Sequence, residues 1–424
     1  TFVTYLGYSL LYTGLICILF AKNTRFDDLK KSLTKIRKKK QKLSVIAALF
    51  LSTFAYTQHT ENHRPKRITN QQIDSILKAN IVDKTHAESF SKLVIQDANG
   101  RMKPAHTFAS ELVRKVSKTE NFKGMEPSQV LLSIVENSRL WFEVPVIYLE
   151  KGNTQIRELI GVADTTKRAS LMDFISDKGT YKIAERVAEA QKKKVRNKFE
   201  KDLINIDKRV GLLNTAIGGG ILRIYPIPNH ENNKWISHLE LSSTKGLIGN
   251  DSVYVPKLLP LYVQLLQSAK KTNNYEKADQ VLDGIKNYQK KYGAAIYPTD
   301  KKIELEISYN KIQPFQKLAS YYGFASLLLL IFVIWQIFVS KKWVNNTVKV
   351  LTVGVVILFI IHTLSLIARW YISGYAPWSN AYESIIFVAW ATMLFGLFMG
   401  RKSALTITAT AFLVAITLGF AHQN

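Results

Sequence analysis

Four uncharged apolar runs follow one another toward the C-terminal end: Leu318–Ser340, Val350–Ala368, Ser384–Gly400 and Ser403–Ala421. Each is close to the roughly 20 residues that a bilayer-spanning helix requires. Only short links separate them, and a helix satisfies its own backbone hydrogen bonds in lipid. Two further runs stand near the other end, Phe2–Ala21 and Leu43–Tyr56. The second is short, and with Lys38, Lys39, Lys40 and Lys42 before it resembles a signal-peptide core. Its internal position and an uncharged run continuing to Thr60 favour a span instead. The expected fold class is a polytopic α-helical membrane protein of about six spans. Between the second and third spans lies a long polar segment, expected to form a large mixed, mainly α-helical extracytoplasmic domain.

Charge in the short loops predicts the orientation. Lys22, Arg25, Lys30, Lys31, Lys35 and Arg37 join the four lysines above in the first link, against Asp27 and Asp28. Lys341, Lys342 and Lys349 lie between spans three and four, and Arg401 and Lys402 between spans five and six. With six spans all three basic links share one side, the cytoplasmic one. Residues 59–317 and the link 369–383 then face outward, which in a bacterial inner (cytoplasmic) membrane is the periplasm.

The formal net charge of +26 suggests nucleic acid at first. No single basic stripe carries it, however. The inner loops account for part, as an attraction to anionic lipid, and the remainder is spread along residues 59–317. A nucleic-acid partner is therefore not expected, and the lipid bilayer is. Cys17 is the single cysteine and lies inside the first span, so no disulfide forms within the chain. No Cys-x-x-Cys-His occurs, hence no covalent haem of the c type, and no zinc ligand set is present.

The link Arg369–Ser384, RWYISGYAPWSNAYES, is unlike an ordinary hairpin. Trp370, Tyr371, Tyr375, Trp378 and Tyr382 crowd it, together with Gly374 and Pro377. Such rings form an interfacial belt at the headgroup layer, or a flat apolar platform for a planar ligand. This segment and the IIFVAW after it resemble the start of the membrane core of the CcsA/ResC proteins of System II cytochrome c biogenesis. Leu93–Lys118 and Lys277–Lys311 resemble the fused ResB–CcsA (CcsB/CcsA, ResB/ResC) type. The first span resembles that family more weakly. Three parts follow from the resemblance: residues 1–60 as the end of a ResB-like part with two spans, 61–317 as the extracytoplasmic domain, and 318–424 as the start of a CcsA-like domain with four spans. The family's tryptophan-rich haem-handling segment is not found before Asn424. Thr1 in place of Met, and an end directly after an apolar run, read as a fragment of a larger protein.

Within the polar segment, residues 59–72 read as a linker. Leu93–Ile95 is expected as a strand and Asp97–Gly100 as a turn. A helix over Thr107–Lys118 is predicted with Thr107 or Ser110 as its N-cap, and His106 as a surface or capping residue. Trp141–Leu149 reads as a buried strand, and Tyr181–Asn214 as one long helix. Gly218–Gly220 lacks the Gly-Lys-Ser/Thr ending of a phosphate loop, and ILRIYPIP after it reads as a strand. Residues 257–292 read as two helices joined at Lys271–Asn274, with Asp279 and Asp283 facing solvent.

Two ionisable residues near the membrane remain. His362 lies two turns below Arg369, about 10 Å at 1.5 Å per residue, on one helix face. A neutral imidazole ligates haem iron, and an arginine above it meets a propionate. The alternative is an interhelical hydrogen bond for His362 and a snorkelling Arg369. His422 at the end of the last span reads as a ligand or a solvated terminus. Asn380 and Glu383 form a capping-box pattern for the fifth span. Candidate haem contacts are thus His362, Arg369, Trp370, Trp378 and His422, with iron ligation open to His362 or His422 and no other metal expected.

The resemblance implies cytochrome c biogenesis: haem b is a non-covalent, transported substrate, carried to the outer face. There it is presented for attachment to the CXXCH thiols of apocytochrome c. It also implies a cytochrome c synthetase (haem lyase) in the full-length protein, with this stretch alone inactive. The competing reading is a membrane-anchored sensor or scaffold whose outer domain binds a partner.

Overall fold

The computed structural model describes residues 68–424 except 245, 246, 248, 250, 340, 375–380 and 424; the side chains of residues 422 and 423 are also undescribed. The two N-terminal spans, the basic link between them, Cys17, Trp378 and Asn380 lie outside the described residues.

The polar segment begins with α1 (Asn70–Ala79) and α2 (Lys84–Ser91). Thr69 and Gln72 cap α1 reciprocally, so the expected linker is already helical at its end. Next come β1 (Val94–Gln96), β2 (Met102–Pro104) and α3 (Ala105–Ser117). β1 and β2 form an antiparallel hairpin through the Asp97–Gly100 turn, where Gly100 has φ +85°. α3 starts two residues before the expected Thr107. Pro104 is the N-cap and its ring offers no side-chain acceptor, while its φ of −59° suits a helix entry.

Then follow α4 (Pro127–Glu136), α5 (Ser138–Glu143), β3 (Ile147–Tyr148), α6 (Thr154–Ile160) and β4 (Arg168–Ala169). The strand expected over Trp141–Leu149 is therefore half helix. Asn137 caps α5 through its side chain, and Trp141 is buried with Nε1 donating to Ser133 Oγ at 3.0 Å. The long helix expected over Tyr181–Asn214 is two helices, α7 (Ala184–Lys192) and α8 (Lys198–Ile217). Asn197 and Glu200 form a capping box that restarts the chain, and repulsion along the lysine run favours the break.

β5 (Arg223–Pro226) and β6 (Trp235–Ser237) pair antiparallel. The helical hairpin appears as α9 (Asp251–Thr272) and α10 (Glu276–Gly293). Two glutamines bind the small sheets together. Gln289 on α10 donates to the carbonyls of Val94 and Ile224 and accepts from Val94 N–H. Gln96 bridges Asn233 and Trp235 in the same way. Gly293 is required where α10 meets Trp235, since a Cβ there would lie 2.5 Å from Trp235 Cζ2.

α11 (Asp300–Ile312) leads through Gln313, in the left-handed region at φ 50°, into α12 (Pro314–Phe338). The remaining helices are α13 (Lys342–Ser373), α14 (Ala381–Met399) and α15 (Ala404–Gln423). By length and composition, four helices among the described residues are able to cross a membrane: Asp300–Phe338, Lys342–Ser373, Ala381–Lys402 and Ala404–Ala421. They correspond to the four C-terminal runs. A Cβ at Gly396 would overlap the Thr410 side chain, so α14 and α15 approach closely through a small residue. Val333, Val355, Met393 and Val414 are among the buried residues at the centre of this bundle. Much of its outer face is apolar and exposed, including Phe324, Ile357 and Phe395, as lipid contact requires.

Candidate functional site: a cleft where the soluble part meets the bundle

The ends of α12, α13, α14 and α15 nearest the soluble part enclose a cleft with α3 and α11. Its volume is about 800 Å³, within the ~300–1,000 Å³ range of ligand pockets. Arg101, Thr107, Glu111, Arg114, Lys115, Lys118, Glu120 and Glu306 line it from the soluble side. Tyr309, Phe315, Arg369, Ile372, Tyr382 and Ala421 line it from the bundle side. With about 37 Å of helix in the 25 residues of α12, the basic links at Lys341 and Arg401 lie at the far end of the bundle.

Arg369 sits in this cleft. Its Nη2 donates to Glu383 Oε1 at 3.0 Å, with the two side chains 22% and 2% exposed. The guanidinium also lies 5.0 Å from the centre of the Tyr382 ring. Arg369 therefore does not simply snorkel, and Glu383 does more than cap a helix. The carboxylate neutralises the arginine inside the wall, leaving Arg369 Nε buried with no hydrogen bond among the described residues. Sequence reading missed this pair, although a lone arginine and a lone carboxylate flanking one membrane link were its signal.

His362 is fully buried one layer beneath the cleft. Phe315, which lines the cleft, packs edge-on against the imidazole at 5.5 Å, and Tyr322 does so at 6.1 Å. Neither ring nitrogen makes a hydrogen bond of normal geometry among the described residues, though the Ile386 backbone faces the ring closely enough to interact with it. The interhelical hydrogen bond weighed from sequence has one candidate partner, the Ile386 backbone on α14, short of normal geometry. Tyr309 spans the gap above, its hydroxyl donating to the Ser365 carbonyl at 3.2 Å.

The other sequence candidates are dispersed. Trp370 is 56% exposed and does not line the cleft. Trp378 lies outside the described residues. His422 follows Ala421, a lining residue, but its own side chain is not described.

Two soluble histidines differ from expectation. His106 is buried, not superficial, with Nδ1 at 3.4 Å from Ser128 Oγ. Burial, reinforced by Lys311, lowers its pKa to about 4. His86, which the sequence did not single out, joins three helices. Its Nδ1 lies 2.8 Å from Asp279 Oδ1, and its Nε2 2.8 Å from Tyr262 Oη. A carboxylate only accepts, so Nδ1 carries the hydrogen and Tyr262 donates to Nε2. Asp279 is accordingly tied to His86 and not merely solvent-facing. Among the described residues no group of His, Cys, Asp and Glu side chains suits a metal ion.

No family model matches the chain. Protein NrfI of Wolinella succinogenes is 29% identical over 430 residues, covering 100% of this chain and 45% of the relative. The cytochrome c biogenesis protein CcsA of Pyropia yezoensis is 33% identical over 115 residues, 27% of this chain and 34% of that protein. CcsA of Trieres chinensis is 30% identical over 110 residues, 25% of this chain and 35% of its own. The chain thus spans less than half the length of these relatives. Their likeness over the whole chain in one case and about a quarter of it in the others bears out the resemblance carried by Arg369–Ser384: the chain is a homologue of NrfI and, over part of its length, of the cytochrome c biogenesis protein CcsA.

Proposed function

We propose that the protein acts in cytochrome c biogenesis, moving haem to the outer membrane face and presenting it there for attachment to an apocytochrome c CXXCH motif. The observation that carries this reading is His362, an imidazole without a hydrogen-bond partner of normal geometry one ring beneath a cleft that holds Arg369. A buried polar group left unmatched costs about 1–3 kcal/mol, and an ionisable residue inside a span is a functional candidate by default. Haem supplies an iron that accepts an imidazole nitrogen and an apolar ring edged by two carboxylates. Phe315 is the ring that must turn for His362 to reach the cleft, and Tyr382 and Ile372 offer apolar walls. Holding haem in one orientation beside its thiol partner is the contribution expected of the protein.

The orientation read from loop charge agrees with this scheme. The soluble part is periplasmic, and the cleft opens on that side of a bacterial inner membrane. The test is optical. Haem co-purifying with the full-length protein, with bands of axial histidine ligation that diminish in His362→Gly, supports the reading. A colourless full-length preparation that also fails to bind added haem overturns it and leaves the scaffold.

A further inference from the structure

Cations outnumber carboxylates five to three along the cleft: Arg101, Arg114, Lys115, Lys118 and Arg369 against Glu111, Glu120 and Glu306. Most of these charges already answer one another. Arg101 pairs with Glu306 at 3.2 Å, Lys115 approaches Glu111 at 3.9 Å, and Arg369 holds Glu383. Arg114 and Lys118 are different. Both are exposed on α3's last turn or just after it, and neither has an ion-pair partner among the described residues. The Lys118 N–H bonds the Arg114 carbonyl, so the two residues lie one helical turn apart, and both line the cleft.

Both residues line the cleft together with Phe315, Arg369 and Tyr382 of the bundle. Arg114 is close enough to Tyr382, on α14, to act on it electrostatically, as Arg369 also does. Lys118 takes the left-handed conformation at φ 57°, a C-terminal position that glycine ordinarily fills. A lysine there is strained, yet it places an ammonium at the cleft's edge. Glu120 is the carboxylate nearest in sequence and leaves the unpaired balance positive.

We infer that Arg114 and Lys118 of the soluble part are the anchor for the carboxylate edge of the ligand, so that haem sits with its propionates against α3 and its ring toward Phe315 and Tyr382. This rests on the haem-handling reading and adds the residues that set the ligand's orientation. An arginine forms paired hydrogen bonds with a carboxylate, and a lysine adds a point charge. The soluble part thereby becomes half of the binding site and not only a partner-binding domain.

The experiment compares haemin with its dimethyl ester, which lacks the two negative charges. Full-length protein in detergent is titrated with each, following the Soret band. The double variant Arg114→Gln/Lys118→Gln alters exposed side chains, and an unchanged melting temperature confirms folding. The expected result is at least a tenfold weaker affinity for haemin in the variant, with affinity for the ester unchanged. Equal haemin affinity in wild type and variant overturns the anchor while leaving the haem reading standing. An equal loss for haemin and ester also overturns it, because carboxylate recognition is then not involved. Removal of the wild-type advantage by phosphatidylglycerol vesicles shows that the two cations serve lipid headgroups, and overturns it too. Failure of the wild type to bind haemin at all sinks the reading beneath it.

Discussion

His86 and His362 are both withdrawn from solvent, at 2% and 0% exposure, but their surroundings are opposite. At the junction of α2, α9 and α10, His86 uses both nitrogens, on Asp279 and Tyr262, and stacks on Tyr275 at 4.9 Å. In the bundle, His362 is flanked by Phe315 and Tyr322 and has no comparable bond. The soluble part also leaves single atoms unmatched, Tyr225 Oη, Trp235 Nε1 and His238 Nδ1. Among the described residues, only at His362 do both nitrogens of a buried imidazole lack a bond of normal geometry, two helical turns from Arg369, whose Nε is also unmatched. A fully bonded buried network fixes a fold. At His362 no such bond of normal geometry forms, and the proposed function assigns that bonding capacity to haem.

The sharpest way to break this comparison is to delete each imidazole. His362→Gly is expected to abolish cytochrome c assembly in cells and to recover it partly when imidazole is supplied, since the free base can enter the vacated space. His86→Gly is expected to lower thermal stability with no rescue by imidazole of assembly per folded molecule. Full assembly by His362→Asn or His362→Gln without imidazole would make His362 as structural as His86.

Next in size is the charge pair in the cleft wall. Arg369→Gln leaves Glu383, 2% exposed, without its cation. Breaking such a pair from one side costs about 3–5 kcal/mol. A lower melting temperature is expected for Arg369→Gln, and substantial recovery in Arg369→Gln/Glu383→Gln. No recovery in the double variant would mean that Arg369 matters through something other than Glu383.

The soluble histidines supply a pH dependence that His362 is not needed to explain. His106 stays neutral in the folded state down to about pH 4, while its unfolded value is the ordinary 6.5. Above pH 6.5 neither state holds the proton and stability is complete. Between 6.5 and about 4 the unfolded chain binds it first, so stability falls with pH, by ~3 kcal/mol at most. His86 acts in the same direction: burial lowers its pKa, and Asp279 opposes that only in part. Melting temperatures at pH 7 and pH 5 measure the slope, and His106→Gln should flatten it. An unaltered slope in that variant would assign the dependence elsewhere.

Period and composition made the bundle legible, because a lipid-facing helix must be apolar for its whole length. The four C-terminal runs are four helices, within a few residues at most ends, though α13 extends well past both limits of its uncharged run, to Lys342 and Ser373. The soluble part was legible only locally. The Asp97–Gly100 turn and the α9–α10 hairpin are written in adjacent residues. The break at Lys193–Asn197 depended on a capping box weaker than the apolar stripe running through it. The bonds of Gln289 and His86 join residues almost 200 positions apart, and no window along the chain contains both ends. The cleft was half visible. His362 and Arg369 share a helix, so their spacing could be read, whereas Glu383, Arg114 and Tyr309 reach the same place from three other helices.

Trp370 gives the smallest expected effect and tests the cleft's boundary. From the sequence it was a belt residue or part of a flat platform for a planar ligand. Its side chain is 56% exposed and lies off the cleft lining, while Tyr382, its neighbour across the link, lines the cleft and meets Arg369. Leucine at position 370 keeps the apolar area and loses the flat ring. Trp370→Leu is therefore expected to leave the haem content of the purified protein within about twofold and stability within about 0.5 kcal/mol, as for other exposed sites. Tyr382→Leu, in contrast, should lower haem content, because it removes a cleft wall and the ring beneath the guanidinium. If Trp370→Leu instead strips the protein of haem as fully as Tyr382→Leu does, the ligand extends over the outside of α13, and the cleft is only part of its site.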